Sequence, residues 1–253
     1  MKHLVIPDCQ IKPGDSLEFL EHVGNYIVEK KPDVIIHLGD FADMESLSSY
    51  DVGKKSFEGR RYTKDIEAAR KAMQTLLGPL VKFNKNAQET KKKQYKPRLV
   101  FCLGNHEQRI QRAVENDPKL EGLIKYEDLP YEDWEVYDFL KPVFIDGIAY
   151  SHYFPTGVMG RAATTASAMV SKLHMSCIAG HQQGKQVAYG KRPDGSTITC
   201  IIAGSCYEHD ESYLDHQTNN HFRGILMAHR VNNGCFDECF VSLDYLREKY
   251  ATT

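Results

Sequence analysis

The sequence predicts an α/β fold in which two sheets pack together with helices on their outer faces. Three observations carry this expectation. Short apolar runs end in polar clusters. Over the first hundred residues these runs alternate with apolar stripes at helical spacing. The second half instead holds paired runs joined by tight turns. Of 253 residues, 42% are hydrophobic and 26% charged, a balance foreign to a disordered chain or a fibre.

The elements follow in order. Leu4, Val5 and Ile6 form a buried strand that ends at Pro7-Asp8. After the Pro13-Gly14 turn, Asp15 precedes Glu18 by three residues, which predicts a capping-box start. Leu17, Leu20, Val23 and Ile27 then recur at helical spacing until Pro32. Residues 33–39 and 98–104 read as two further buried strands, and strand–helix–strand order predicts parallel pairing with right-handed crossovers. Between them residues 63–77 show a helical stripe of Ile66, Ala69, Met73 and Leu76. A hairpin spans 143–150 about Asp146-Gly147, a helix is expected over 162–173 and a strand over 176–180. Two more hairpins centre on Pro193-Asp194-Gly195 and Asn232-Asn233-Gly234. The chain is expected to be a single domain over 1–253, with an inserted helical cap at about 44–97.

Charge and cysteine content narrow the setting. The net charge is −2, yet residues 51–98 carry +9, leaving −11 on the rest. A basic block on an acidic body fits either a polyanionic partner or a solvated helix. No run approaches the roughly 18 apolar residues of a membrane helix, and the N-terminus is charged too soon for a secretory signal. Seven cysteines without C-x-x-C spacing fit reduced thiols in a cytosolic chain better than a disulfide framework or zinc ribbon.

Chemistry is expected at the strand ends, where open α/β sheets place their sites. Five such ends carry Asp8 and Gln10; Asp40 and Asp43; Asn105, His106 and Glu107; His152; and His181 with Gln183. Taken singly, these are ordinary turn, cap or surface residues. Converging, they supply carboxylates, amide oxygens and imidazoles without thiolate, a set for Mn²⁺, Mg²⁺, Fe or Zn²⁺. Cys9 alternates to the core side, and His37 is expected to be structural. Asp43 either supports the site or caps the next helix, and residues 216–229 read as polar, His-rich loop, as do His209 and Asp210.

The ordered set D-x-Q at Asp8, G-D-x-x-D at Gly39, G-N-H-E at Gly104, the lone His152 and G-H-x-Q at Gly180 resembles the calcineurin-like metallophosphoesterases. The D-x-Q opening is most similar to a branch found in bacteriophage genomes, which would place the chain in a host cytoplasm. The resemblance implies the family's two-sheet αββα sandwich and hydrolysis of phosphate esters by a metal-activated water. It implies that Asp40 bridges two metals, that Asn105, His152 and His181 complete one site, and that Asp8 binds in the other. His106 would act on the leaving oxygen or the phosphoryl oxygens without ligating. Gln10 and Gln183 stand where the family has histidines. Neutral amide oxygens favour Mn²⁺ or Mg²⁺ over Zn²⁺ and looser binding, so one tight and one exchangeable ion are expected.

The substrate is less determined. Tyr50, Phe57 and Tyr62 interleave with Lys54, Lys55, Arg60 and Arg61, a pattern of surfaces that stack bases and track a backbone. Arg60, Arg61 and Arg109 are the candidate substrate contacts; Arg161 fits either a phosphate contact or plain surface. A nuclease or nucleotide phosphodiesterase, a phosphomonoesterase, and a non-catalytic binding module on the same fold all remain open.

Overall fold

The computed structural model describes residues 1–49, 53–208 and 221–251. Tyr50, His209, Asp210 and His216 lie outside the described residues. The strands are β1 (His3–Ile6), β2 (Val34–His37), β3 (Arg98–Cys102), β4 (Glu135–Tyr137), β5 (Val143–Ile145), β6 (Ile148–Ser151), β7 (Ser176–Ala179), β8 (Lys185–Lys191), β9 (Thr197–Ala203), β10 (Gly224–Asn232) and β11 (Cys235–Ser242). The helices are α1 (Glu18–Lys30), α2 (Tyr62–Glu89), α3 (Gln108–Asn116), α4 (Ala166–Leu173) and α5 (Leu243–Tyr250).

These strands form a six-stranded sheet in the order β11-β10-β1-β2-β3-β4 and a five-stranded sheet in the order β5-β6-β7-β9-β8. In the first, β1 to β4 are parallel and the β10–β11 hairpin joins antiparallel to β1. In the second, β6, β7 and β9 are parallel. All parallel strand ends of a sheet therefore point one way.

Alternation builds the four layers. Val5, Val34, Ile36, Leu226 and Ala228 pack inward against Tyr150, Ile178 and Ile201 of the second sheet. Their neighbours Leu4, Ile6, Ile35 and Met227 face outward to Leu20, Val23 and Ile27 of α1 and Ala69, Met73 and Leu76 of α2. On the far side Met169 of α4 covers Cys177, Cys200 and Ile202. Strands covered on both faces need continuous apolar runs, which these are. Each large side chain so buried contributes about 1.5–3 kcal/mol. No helix of the described residues is long and apolar enough to cross a membrane.

Several expected boundaries shift for identifiable reasons. Asp15 does not cap α1; its carboxylate accepts the Lys12 N–H at 2.8 Å, and the N-cap Leu17 makes no side-chain bond. The helix expected over 63–77 runs on to Glu89 through Pro79. There α1 comes so close that a Cβ on Gly24 would sit 2.4 Å from the Leu76 carbonyl and 2.9 Å from the Pro79 ring. The helix expected from 162 starts at 166, because the Thr165 hydroxyl accepts the Ala168 N–H at 3.1 Å as a cap. His229 lies within β10 and not in a loop.

The course of α2 divides the basic block. Its first turns sit near the site: Ser46 donates its N–H and hydroxyl to Asp65, and Tyr62 donates to Asp128. Its far end meets the start of β3, with Asn84 bonded to Tyr95. At 1.5 Å per residue the helix is roughly 40 Å long. Lys82, Lys85 and residues 91–93 are thus carried to the opposite end of the sheet.

Candidate active site

The loops after β1 and β2 zip together before any functional side chain is placed. Cys9 and Gln10 donate their N–H groups to the Asp40 carbonyl at 3.0 and 2.8 Å, and Ile11 donates to Phe41. The loop after β3 is fastened to them by Glu107, which is fully buried. One Glu107 carboxylate oxygen accepts N–H groups from Asp40 (2.9 Å) and Gly104 (2.8 Å); the other accepts Phe41, Ala42 and the Tyr131 hydroxyl.

On this frame the acidic groups are pressed against glycines. A Cβ on Gly104 would lie 2.1 Å from Asp40 Oδ1, and one on Gly180 would lie 2.4 Å from Asp8 Oδ1. Both Asp8 oxygens accept the His181 N–H, at 3.0 and 3.1 Å. Four site residues hold left-handed backbone without being glycine: Gln10 (φ 44°), Asp40 (50°), His181 (66°) and Gln183 (59°). Such conformations are costly and cluster at functional sites.

The side chains then converge. Ligand atoms of Asp40, His152 and His181 all lie within 4.8 Å of one another. Asp40 Oδ2 is 3.3 Å from His152 Nε2, and Asn105 Oδ1 is 2.9 Å from that nitrogen. His152 Nδ1 bonds the Leu38 carbonyl at 2.8 Å, which aims Nε2 at the centre. His106 stands beside the cluster, its Nε2 3.6 Å from Asp40 and its Nδ1 2.6 Å from Asp43 Oδ1. Asp43 therefore supports His106. Arg109 donates to the Asp43 carbonyl at 2.7 Å and lies 3.3 Å from His106 Nε2. Cys9 is buried in the core, and His37 stacks on Phe101 at 4.8 Å.

Electrostatics follow from this packing. Burial, aided by the Asp40 charge, pushes Asp8 up to about 7 against the pull of His152. Burial would also raise Asp40, but His106 and His152 outweigh it and hold that carboxyl well below the usual range. Burial would lower His152, but Asp40 prevails and lifts it to about 9. His181, buried and facing His152, is pushed down to about 4. His106 is raised, because Asp40 and Asp43 overcome its burial.

The donor chemistry fits divalent cations. Asp40, Asn105, His152 and His181 offer two oxygens and two imidazoles, with the carboxylate already ionised. A set of Asp8, Gln10, Asp40 and Gln183, as the resemblance implies, would offer oxygen alone, which hard cations such as Mn²⁺ and Mg²⁺ accept. Gln183 Oε1 accepts the Tyr207 hydroxyl at 3.0 Å, and that hydroxyl is 2.9 Å from His221 Nδ1, so the amide is held in place.

Beside Asn105 and His181 lies a hollow of about 280 Å³, lined also by Arg109, Arg112, Tyr153, Arg161 and Ala162. Of the expected substrate contacts only Arg109 is among the residues lining it; the Arg60 guanidinium is 3.3 Å from Glu45, and Arg61 donates to the Arg60 carbonyl at 2.7 Å. Sequence reasoning missed Glu107 as the brace, although Gly104-x-x-Glu107 has half of a capping-box spacing. It missed Arg112, which sits three residues after Arg109 and so on the same helix face. Nothing in the sequence pointed to Tyr153 or Tyr207.

Solved structures similar to this chain include a phosphoesterase and a dimetal phosphatase. A phosphoesterase from E. coli matches with 14% identity and a TM-score of 0.39, over 96% of this chain and 100% of that one. A dimetal phosphatase from Danio rerio matches with 10% identity and a TM-score of 0.42, over 96% and 99%. No curated protein matches in sequence. The family model for calcineurin-like phosphoesterases matches residues 1–232, so this chain, a hydrolase of phosphate esters, belongs to that family.

Proposed function

We propose that the chain hydrolyses phosphodiesters of nucleotides or nucleic acid with Mn²⁺ as its preferred ion. The observation that carries this reading is the hollow beside Asn105 and His181. It extends the site beyond the space of one phosphoryl group and offers the Tyr153 ring, 4.8 Å from the His181 ring, as a wall for an esterified group.

Asp40, Asn105, His152 and His181 would hold one ion tightly; Asp8, Gln10, Asp40 and Gln183 would hold the other loosely. Bound there, divalent ions supply Lewis acidity toward phosphoryl oxygens and acidify water at neutral pH. The remaining work falls to the chain. Arg109, anchored on Asp43, presents its charge to a non-bridging oxygen. Asp40 and Asp43 favour the protonated form of His106, which would give its Nε2 proton to the departing alkoxide. The balance is one water consumed and one alcohol and one monoester released.

Hydrolysis of bis-p-nitrophenyl phosphate and of p-nitrophenyl phosphate, each with added Mn²⁺, tests the reading. The diester is expected to be the better substrate. Preference for the monoester would make the chain a phosphatase, and turnover of neither, with no metal uptake, would make it a binding module. His106→Ala is expected to lower turnover by about 10²–10⁴-fold while metal content stays intact.

A further inference from the structure

The hollow beside the metal ligands holds more positive charge than one phosphoryl group requires. Arg109 is already committed to Asp43. Arg112, one turn further along α3, lends one nitrogen to the Asn105 carbonyl at 3.1 Å. A guanidinium carries five N–H donors, so most of its capacity remains. Arg161, in the segment before α4, lines the same hollow. Among the described residues no carboxylate lies within ion-pair distance of Arg112 or Arg161. Two exposed, unneutralised guanidinium groups on one small hollow give it a positive potential that favours an anion there. A planar fork matches phosphate oxygens in pairs. A second, smaller hollow of about 100 Å³, lined by Leu47, Ser49, Arg109, Arg112 and Asn116, continues the basic surface on the other side of α3.

We propose that Arg112 and Arg161 bind a second, non-scissile phosphate of the substrate, so that the preferred substrates carry two phosphates a few bonds apart. This rests on the phosphodiesterase reading and deepens it: the substrate class becomes an oligonucleotide chain, and not an isolated diester. The same chemistry is met in a nucleoside diphosphate, which the experiment separates. The hollow is too small for a second nucleoside beside the phosphate, since pockets for drug-sized ligands span about 300–1,000 Å³. The flanking base is therefore left to Tyr153 and the rim.

The test compares the thymidine trimer TpTpT, with two phosphates, against the dimer TpT, with one, under Mn²⁺. The wild type is expected to show a KM for the trimer at least tenfold below that for the dimer. Arg112→Ala and Arg161→Ala are each expected to bring that ratio toward one, and Arg112→Lys to restore part of it. Manganese content is measured in each variant, because Arg112 also touches Asn105. A wild-type ratio near one, or an unchanged ratio in both alanine variants, overturns the inference and leaves the phosphodiesterase reading standing. If the wild type cleaves neither oligomer, that reading fails, and the ratio of the two dissociation constants with Mn²⁺ decides the inference by the same threshold. Thymidine 5′-diphosphate is the third probe: arginine-dependent binding of it alone assigns the second phosphate to an anhydride.

Discussion

Glu107→Gln isolates what holds the three N-terminal loops in register. In the native chain one carboxylate oxygen accepts two N–H groups and the other accepts two N–H groups and a hydroxyl, all without solvent. A glutamine keeps one oxygen and sets an NH₂ against the donors facing the other. At least two charge-assisted bonds go, each worth about 1.5–3 kcal/mol, and two buried N–H groups lose their acceptor. Part of this returns, because burial pushes the Glu107 carboxyl above the usual range and removing the charge relieves that cost. The net expectation is a loss of about 2–4 kcal/mol, a large share of a typical 5–15 kcal/mol. Urea unfolding of the metal-free protein measures it as a lower midpoint at constant slope. Mn²⁺ affinity should fall in parallel, since either orientation of the amide leaves an N–H of the 40–42 segment without its acceptor. Glu115→Gln, exposed on α3, serves as the control and is expected within about 0.5 kcal/mol of wild type. An E107Q protein as stable as that control, with unchanged Mn²⁺ affinity, would refute the bracing role.

Three further outcomes follow from the geometry. Gly104→Ala would set a methyl 2.1 Å from Asp40 Oδ1, so Mn²⁺ affinity should fall more than tenfold, measured by equilibrium dialysis. Asp43→Asn withdraws the charge that helps raise His106; turnover should fall about tenfold or more at intact metal content, and the alkaline limb of the pH–rate profile should move to lower pH. Without metal, Asp8 is raised to about 7 and His152 to about 9, so both hold protons more tightly folded than unfolded. Stability from His152 is then complete below about pH 6.5 and lost as pH rises through 9, while ionising Asp8 removes stability between about pH 4 and 7. The metal-free melting temperature should decline from about pH 6.5 to 9, above the range in which the lowered His37 and His181 add stability as they lose their protons, and Mn²⁺ should raise it more at pH 8.5 than at pH 6, because these ligands shed protons on binding. An equal rise at both pH values would contradict the assignment of those two ligands.

Much of this arrangement is legible in the amino-acid sequence. Buried parallel strands leave continuous apolar runs, and the polar residues that follow stand out by contrast, so Asp8, Asp40, Asn105, His152 and His181 are legible as an ordered set at strand ends and not one by one. Hairpin turns at Asp146-Gly147 and Asn233-Gly234 are legible because positive φ selects those residues. What the sequence hides depends on contacts distant in the chain. Whether Pro79 ends a helix is decided by its packing against Gly24 of α1, and Asp15 serves a turn because Lys12 offers the nearer N–H. Nor does a sequence show that α2 carries the lysines after 82 away from the site, or that Arg112 and Arg161 line one hollow from segments about fifty residues apart.

Asp40, Asn105, His152 and His181 are proposed to form one cation site beside His106, with a weaker all-oxygen site proposed at Asp8, Gln10 and Gln183. Anomalous diffraction from crystals equilibrated at stepped Mn²⁺ concentrations tests it most directly. A peak is expected among Asp40, Asn105, His152 and His181 at the lowest concentration, and a second beside Asp8 that grows only as Mn²⁺ rises. No peak at the first position, or two that fill together, would contradict it.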